Sequence, residues 1–169
     1  MAIAEEPLTA LSEYARVPIA FEAAGGRIKD YDAAGGGPAE WARTFDLSNW
    51  GLIAARSSGR LVGGAVIAFR TDGVTMLEGR SDLAVLWDIR VEPELRGKGI
   101  GAAIFQAVEE WAMARGCRQL KVETQDSNIA ACRFYERRGC VLGESRPQAY
   151  RESPGEVQML YYKDLQPGS

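Results

Sequence analysis

From residue 50 onward, hydrophobic and polar positions alternate in regular patterns. Two apolar runs, 52–56 and 61–69, flank the polar turn 57–60 and predict a β-hairpin. A polar connection over 71–82 follows, and then residues 84–91 alternate with a period of two, which predicts another strand. One face of that strand is expected to carry Val85, Trp87, Ile89 and Val91. The other face is expected to carry Leu86, Asp88 and Arg90.

After a turn at 92–94, the apolar residues recur with the period of a helix. Apolar residues recur on one stripe of residues 99–115, which predicts an amphipathic helix that ends at Gly116. That stripe consists of Ile100, Ile104, Val108 and Trp111. Further downstream the pattern predicts a strand over 119–124, a helix over 129–138, a short strand from Cys140 and a last strand over 156–163.

The first fifty residues carry a weaker pattern. Residues 17–22 predict a strand, residues 38–46 predict a short helix, and the glycine-rich stretch 33–38 reads as a loop. The complete order of strands and helices describes an α/β or α+β domain, a mixed sheet with helices on its faces. A chain of 169 residues fits a single domain spanning 1–169.

Charge and composition narrow the classes of function. The formal net charge of −3 disfavours a nucleic-acid partner and suits a cationic substrate. The chain contains no histidine, which removes Ser-His and Cys-His nucleophiles and histidine-ligated metal sites. The three cysteines form no CxxC pair, so no metal is expected, and they are expected to be small buried residues. No apolar run is long enough for a membrane span, no signal peptide is apparent, and a cytoplasmic location is expected.

The segment 96–101 is the first with a chemical signature. Gly97, Gly99 and Gly101 alternate with Arg96, Lys98 and Ile100 at the start of the predicted helix. Glycines allow a ligand to approach the backbone, and a helix N-terminus favours a phosphate, so the segment predicts a pyrophosphate site. A tight turn that merely requires glycines is the alternative. The Walker A pattern fails, and a dinucleotide fingerprint over Gly97-x-Gly99-x-x-Ala102 fits loosely because five residues separate it from the strand.

At these residues the sequence resembles the GNAT acetyltransferase superfamily. Arg96-x-x-Gly99-x-Gly101 matches the family's Arg/Gln-x-x-Gly-x-Gly/Ala signature, and the run 122–140 resembles its later motif. In that run an Asn opens a helix, a Tyr stands seven residues on, and a Gly closes the helix. The residues at 86–91 and 123–125 are most similar to those of the streptothricin-acetyltransferase-like branch.

The resemblance implies a fold and a cosubstrate. It implies a mixed, mostly antiparallel central sheet of six to seven strands flanked by helices, with a splayed fourth strand. The cosubstrate is acetyl-CoA. The pantetheine arm would lie along Ile89, Arg90 and Val91 of that strand and contact Asn128 and Ala131. The pyrophosphate would be bound by Arg96, Gly97, Lys98, Gly99, Ile100 and Gly101.

Three residues are predicted to carry proton transfer. The resemblance places Tyr135 near the sulfur, where a phenol of pKa about 10 can return a proton to a thiolate of pKa about 8.5. Glu123 and Asp88 are the alternative general bases, and a water chain is a third possibility. Both carboxylates have simpler explanations as ion-pair partners: Asp88 of Arg90 or Lys121, and Glu123 of Lys121 or Arg133.

The resulting hypothesis is an N-acetyltransferase that acts on a primary amine of an antibiotic-like or polyamine-like small molecule, by direct attack in a ternary complex. Acetylation of a peptide or protein amine, a catalytically silent acyl-CoA-binding module and a dinucleotide-dependent oxidoreductase are the alternatives. Tyr150, Tyr161 and Tyr162 are possible substrate contacts, whereas the four tryptophans are expected to lie in the core. Exposed edge strands make a homodimer a further expectation.

Overall fold

The computed structural model describes residues 1–22, 28–30, 32, 36–147, 149–150 and 155–166. Its strands are β1 (Ala2–Glu6), β2 (Phe21–Glu22), β3 (Ile28–Lys29), β4 (Gly51–Ser57), β5 (Arg60–Ala68), β6 (Leu83–Val91), β7 (Gln119–Gln125), β8 (Val141–Pro147) and β9 (Val157–Asp164). Its helices are α1 (Leu11–Tyr14), α2 (Pro38–Thr44), α3 (Ile100–Ala114) and α4 (Ile129–Arg137). None of the described helices is both long enough and apolar enough to cross a bilayer.

Seven strands form one central sheet in the order β1-β4-β5-β6-β7-β9-β8. The β6–β7 pair is parallel and the other pairs in this sheet are antiparallel. The predicted mixed, mostly antiparallel sheet with flanking helices is therefore confirmed. Strands β2 and β3 form a separate two-stranded ribbon.

The sheet has a hydrophobic cluster on each face. On one face α3 completely buries Ile104 and Val108 of its predicted stripe, together with Phe105. Each such side chain contributes about 1.5–3 kcal/mol to stability, so α3 is firmly fixed to the sheet. On the other face the N-terminal segments cover the sheet, and Tyr14 and Leu52 are fully buried there.

The N-terminal region departs most from the sequence prediction. Strand β1 was not predicted, because its side chains are mostly exposed at the sheet edge and show no apolar alternation. Its place is fixed by pairing with β4 and by the ion pair between Arg56 and Glu6. The strand predicted over 17–22 is wrong for 17–20, since β2 begins only at Phe21.

Strand β6 also departs from its predicted faces. Val66 pairs with Asp88 while the next residue, Ile67, pairs with Leu86, so Trp87 is an extra, bulged residue. Beyond a bulge the side chains change faces. Val85 and Trp87 therefore pack with the N-terminal cluster, whereas Leu86, Ile89 and Val91 pack with the α3 cluster.

Two of the three cysteines are buried, as predicted, and the third is not. Cys117 and Cys140 are buried, Cys132 is half-buried, and all three are free thiols. Burial raises the pKa of Cys140 to about 11, which keeps this thiol protonated and unreactive at neutral pH.

Candidate active site

A cleft of about 820 Å³ opens where β6 and β7 separate. The two strands pair from Leu83↔Gln119 as far as Leu86↔Val122. Beyond that point β6 stays with β5 and β7 stays with β9, so the described ladders leave the β7-facing edge of residues 87–91 unpaired. This separation is the splayed fourth strand of the sheet, and its backbone N–H and C=O groups are available to a ligand.

The glycine loop forms one end of the cleft. Gly97 and Gly99 have φ values of 77° and 85°, in the left-handed region that favours glycine. A Cβ at either position would meet nothing within 4 Å, so conformation and not crowding requires glycine there. Helix α3 begins at Ile100, and its first N–H groups have no partner within the helix. Together with the helix dipole they form an anion-binding end.

Most predicted cofactor residues lie at this cleft. The lining includes Ile89, Arg90, Val91, Arg96, Gly97, Gly99, Gly101, Asn128, Ala131 and Tyr135. Lys98 and Ile100 are not among the lining residues, and Lys98 is exposed beside the loop. The side-chain oxygen of Asn128 accepts a hydrogen bond from the Ala131 N–H at 3.1 Å and caps α4.

Asp88 and Arg90 belong to a buried polar network that also lines the cleft. Arg90 donates to Asp88 at 2.8 Å and 3.1 Å, to Asp32 at 2.9 Å and 3.3 Å, and to the Val17 carbonyl at 2.9 Å. These five bonds match the five N–H groups of a guanidinium. The Tyr14 hydroxyl donates to Asp88 Oδ2, the oxygen that also accepts from Arg90 Nε.

The electrostatics of this network favour the ionised state of Arg90. The Arg90 side chain is fully buried, and the side chain of Asp88 is 7% exposed. Burial alone would lower the pKa of Arg90, but the hydrogen bonds and charge of Asp88 outweigh it and raise that pKa above the usual arginine value. Burial, followed by the charge of Asp88, raises the pKa of Tyr14 well above its usual value. Of the two partners weighed for Asp88, the structure shows Arg90.

Glu123 projects into the cleft from β7. The Tyr150 hydroxyl donates to the Glu123 carboxylate at 2.7 Å, and both residues line the cleft. Lys121, one of the two cations considered as its partner, instead forms an ion pair with Glu78 at 2.9 Å. Glu123 therefore faces the cleft with a phenol as its hydrogen-bond donor.

Tyr135 reaches the cleft from the middle of α4. It is 6% exposed, and its ring packs against Phe134 at 5.4 Å, Tyr161 at 6.2 Å and Phe105 at 6.5 Å between ring centroids. The structure thus brings Asp88, Glu123 and Tyr135 to one cleft from three different elements. Tyr161 is buried in the core, and Tyr162 lies in a neighbouring polar pocket with Glu78.

Several cleft residues were not predicted from the sequence. Gln125 lies two residues after Glu123 on β7. The side-chain oxygen of Gln125 is buried without a hydrogen-bond partner among the described residues. Ile19 and Trp41 reach the cleft from the N-terminal segments, and Trp87 reaches it from the bulge. Only strand position singles out Gln125 in the sequence, and no local signal identifies Ile19.

The geometry fits a phosphate-bearing carrier that lies along an open strand edge. The glycine loop and α3 provide the anion-binding end, and the unpaired edge of β6 provides hydrogen-bonding groups for an extended, amide-containing arm. The buried oxygen of Gln125 is an acceptor that a ligand N–H can satisfy. Fold and site together therefore define an α/β protein that binds an extended, phosphate-bearing cofactor in a cleft.

Comparison with known proteins identifies the family. The acetyltransferase (GNAT) family profile matches residues 24–140. Streptothricin acetyltransferase A of Bacillus subtilis is 35% identical over 81 residues, 47% of this chain and 47% of that protein. Aminoglycoside N(6')-acetyltransferase type 1 of Stenotrophomonas maltophilia is 30% identical over 105 residues, 62% of this chain and 67% of that protein. The chain belongs to the GNAT acetyltransferase family.

Solved structures share the whole fold. Nourseothricin acetyltransferase superposes with a TM-score of 0.74 at 19% identity, covering 98% of each chain. A putative streptothricin acetyltransferase of Bacillus anthracis, solved in complex with acetyl coenzyme A, gives 0.71 at 19% identity and covers 96% of this chain and 98% of that one. The matches to the first curated relatives span about half of their length. They confirm the resemblance to streptothricin acetyltransferases at the level of sequence.

Proposed function

We propose that this chain is a cytoplasmic acetyl-CoA-dependent N-acetyltransferase that acts on a primary amine of an antibiotic-like or polyamine-like small molecule. The observation that carries the proposal is a single cleft in which the glycine loop, the open edge of β6, Glu123 and Tyr135 meet. The streptothricin and aminoglycoside acetyltransferases among the relatives support a small-molecule amine as acceptor.

Acetyl-CoA supplies an acetyl group activated as a thioester. Backbone N–H groups of the loop 97–101 bind its pyrophosphate in this proposal, because they lie at the N-terminus of α3. Residues 89–91 of β6 bind the pantetheine arm through their unpaired edge, with Asn128 and Ala131 on the opposite side. Lys98 adds positive charge outside the cleft. No metal is invoked.

Glu123 and Tyr135 divide the proton transfers. The Glu123 carboxylate accepts a proton from the incoming ammonium, directly or through water, and Tyr150 holds that carboxylate in place. The Tyr135 hydroxyl holds the proton that the departing sulfur requires. Trp41, Trp87 and Tyr150 line the cleft nearby, and aromatic faces attract an alkylammonium group.

We assign Asp88 a positioning role in place of the catalytic one. Its oxygens accept hydrogen bonds from Arg90 and Tyr14, and the Asp88–Arg90 pair is almost completely buried. A general base needs a lone pair that is directed at the substrate proton. The oxygens of Asp88 instead bind groups of the protein, and they fix the part of β6 that follows the bulge.

A thiol-release screen tests the function. The protein is incubated with acetyl-CoA and a panel of amines that includes streptothricin, aminoglycosides, polyamines and peptides, and free CoA thiol is measured. We expect release with at least one small-molecule amine. If thiol is released with peptides alone, the acceptor is a peptide or protein amine and not a small-molecule amine. If calorimetry shows tight CoA binding and no amine is acetylated, the silent binding module is the correct function.

The roles of the two carboxylates are separated by substitution. Glu123→Gln is expected to lower kcat about 100-fold at unchanged Tm, because the amide keeps the shape but cannot accept the ammonium proton. Asp88→Asn is expected to lower Tm and to change kcat less than about tenfold, since it weakens a buried network. Glu110→Gln on the exposed side of α3 is the matched control. A larger loss of kcat in Asp88→Asn than in Glu123→Gln would reverse the assignment.

A homodimer through the sheet edge remains part of the proposal. Strand β8 lies at one edge, and its Val141 and Leu142 side chains are exposed by 69% and 43%. Natural sheets seldom leave such an edge uncovered.

A further inference from the structure

Part of the cleft wall belongs to a short irregular segment, residues 17–20, between α1 and β2. It does not pair with any of the described strands. Val17 is 2% exposed in the N-terminal cluster, whereas Ile19 turns the other way and lines the cleft. Without a ladder, the carbonyl groups of this segment are free to accept hydrogen bonds from side chains.

Two arginines from the β6 side supply those donors. The Arg96 side chain donates to the Pro18 carbonyl at 3.2 Å and to the Ala20 carbonyl at 3.0 Å. Arg90 donates to the Val17 carbonyl at 2.9 Å. Three of the four carbonyls in 17–20 are therefore bonded to guanidinium groups in place of a neighbouring strand.

Arg96 also bonds to its own side of the cleft. Its Nε donates to the Val91 carbonyl at the end of β6, at 2.9 Å. The guanidinium thus spans from the last residue of the splayed strand to the N-terminal segment, just before the glycine loop begins. Each of its three nitrogens bonds to a backbone carbonyl, so three of its five N–H groups bind the protein backbone.

We infer that Arg96 is a positioning residue that fastens the acceptor-side wall 17–20 to the end of the cofactor strand, and that Ile19 on this wall contacts the acceptor amine. The kinetic part of this inference rests on the proposed function. A residue in the phosphate-loop signature then acts on the acceptor and not on the phosphate. Arg90 secures the same wall from the buried side.

Arg96→Gln is the informative variant, because glutamine is the other residue that the loop signature admits. Its shorter side chain cannot bridge from Val91 to both Pro18 and Ala20, although it preserves a polar group at this position. In the ligand-free protein, hydrogen–deuterium exchange of the Val17 amide, which donates to the Tyr14 carbonyl at 3.1 Å, is expected to rise about fivefold as the segment loosens. In the active protein the acceptor KM is expected to rise about fivefold, with the acetyl-CoA KM within about twofold of wild type.

Three further variants separate this role from others. Lys98→Gln removes a neighbouring charge and is expected to raise the acetyl-CoA KM without changing exchange of the Val17 amide. Ile19→Ala is expected to change the acceptor KM at unchanged acetyl-CoA KM, because it alters the wall itself. Arg43→Gln, on the exposed surface of α2, is expected to change neither the acceptor KM nor the acetyl-CoA KM.

Unchanged exchange of the Val17 amide in Arg96→Gln would overturn the inference. So would a rise in the acetyl-CoA KM that exceeds the rise in the acceptor KM. Exchange is measured without substrates, so the attachment of the wall can be judged even if no amine is acetylated. In that case the proposed function fails and the structural part of the inference is decided separately.

Discussion

Tyr135→Phe is expected to lower kcat about 100-fold, while acetyl-CoA binding and stability change little. The ring remains packed against Phe134, Phe105 and Tyr161, so the variant removes a hydroxyl without opening a cavity. What is lost is the donor that returns a proton to the departing sulfur. Steady-state kinetics with the best amine from the screen and calorimetry with CoA measure the two effects.

Phe134→Leu is the companion variant for this experiment. It alters the packing around Tyr135 and keeps the hydroxyl, so we expect a much smaller loss of kcat than in Tyr135→Phe. The Tm of Tyr135→Phe should stay within about 4 °C of wild type, the range that corresponds to about 1 kcal/mol in a domain of this size. A kcat for Tyr135→Phe within threefold of wild type would exclude Tyr135 as the proton donor.

Arg90→Met is expected to reduce the free energy of unfolding by about 3–5 kcal/mol. Arg90 is fully buried and is the cation between Asp88 and Asp32, so its removal leaves Asp88 buried with Tyr14 and without a positive partner. Methionine fills similar volume, which limits the cavity contribution. Urea unfolding measures the loss, and we expect Tm to fall by about 10 °C.

A double variant tests the electrostatic origin of this loss. Asp88→Asn combined with Arg90→Met removes the uncompensated charge, so it should be more stable than Arg90→Met alone. The contrary result, additive destabilisation, would mean that lost packing and not an unpaired carboxylate causes the effect. Chain expression and circular dichroism establish that each variant is folded before the comparison.

Local patterns predicted the elements that bury one continuous face. Helix α3 and strands β4, β5, β7 and β9 were predicted within a few residues, because each packs a periodic set of apolar side chains on the core. The edge strand β1 carries no such pattern and depends on pairing with β4. The bulge at Trp87 could not be predicted from the sequence either. The alternation of apolar and polar residues continues through it, while the pairing with β5 shifts by one residue.

The candidate site divides in the same way. The glycine loop, Asn128 and Tyr135 were predicted from the sequence because they stand in family motifs of fixed spacing, and all of them line the cleft. Gln125 and Ile19 were missed, because only the separation of β6 from β7 and the path of the N-terminal segment bring them to the cleft. Glu123 and Asp88 were alternative bases in the sequence, and only the structure shows that Glu123 accepts from Tyr150 whereas Asp88 accepts from Arg90 and Tyr14.

The sequence by itself determined that a helix begins after a glycine loop and that two family motifs stand in order along the chain. These are local properties, fixed by backbone conformation and side-chain periodicity. The tertiary structure alone decided which distant groups bind the guanidinium groups of Arg90 and Arg96. Arg90 bonds to Asp32 and Val17, and Arg96 bonds to the carbonyls of Pro18 and Ala20, because residues more than fifty positions apart become neighbours at the splayed strand. Such pairings depend on burial and distance, which no local pattern encodes.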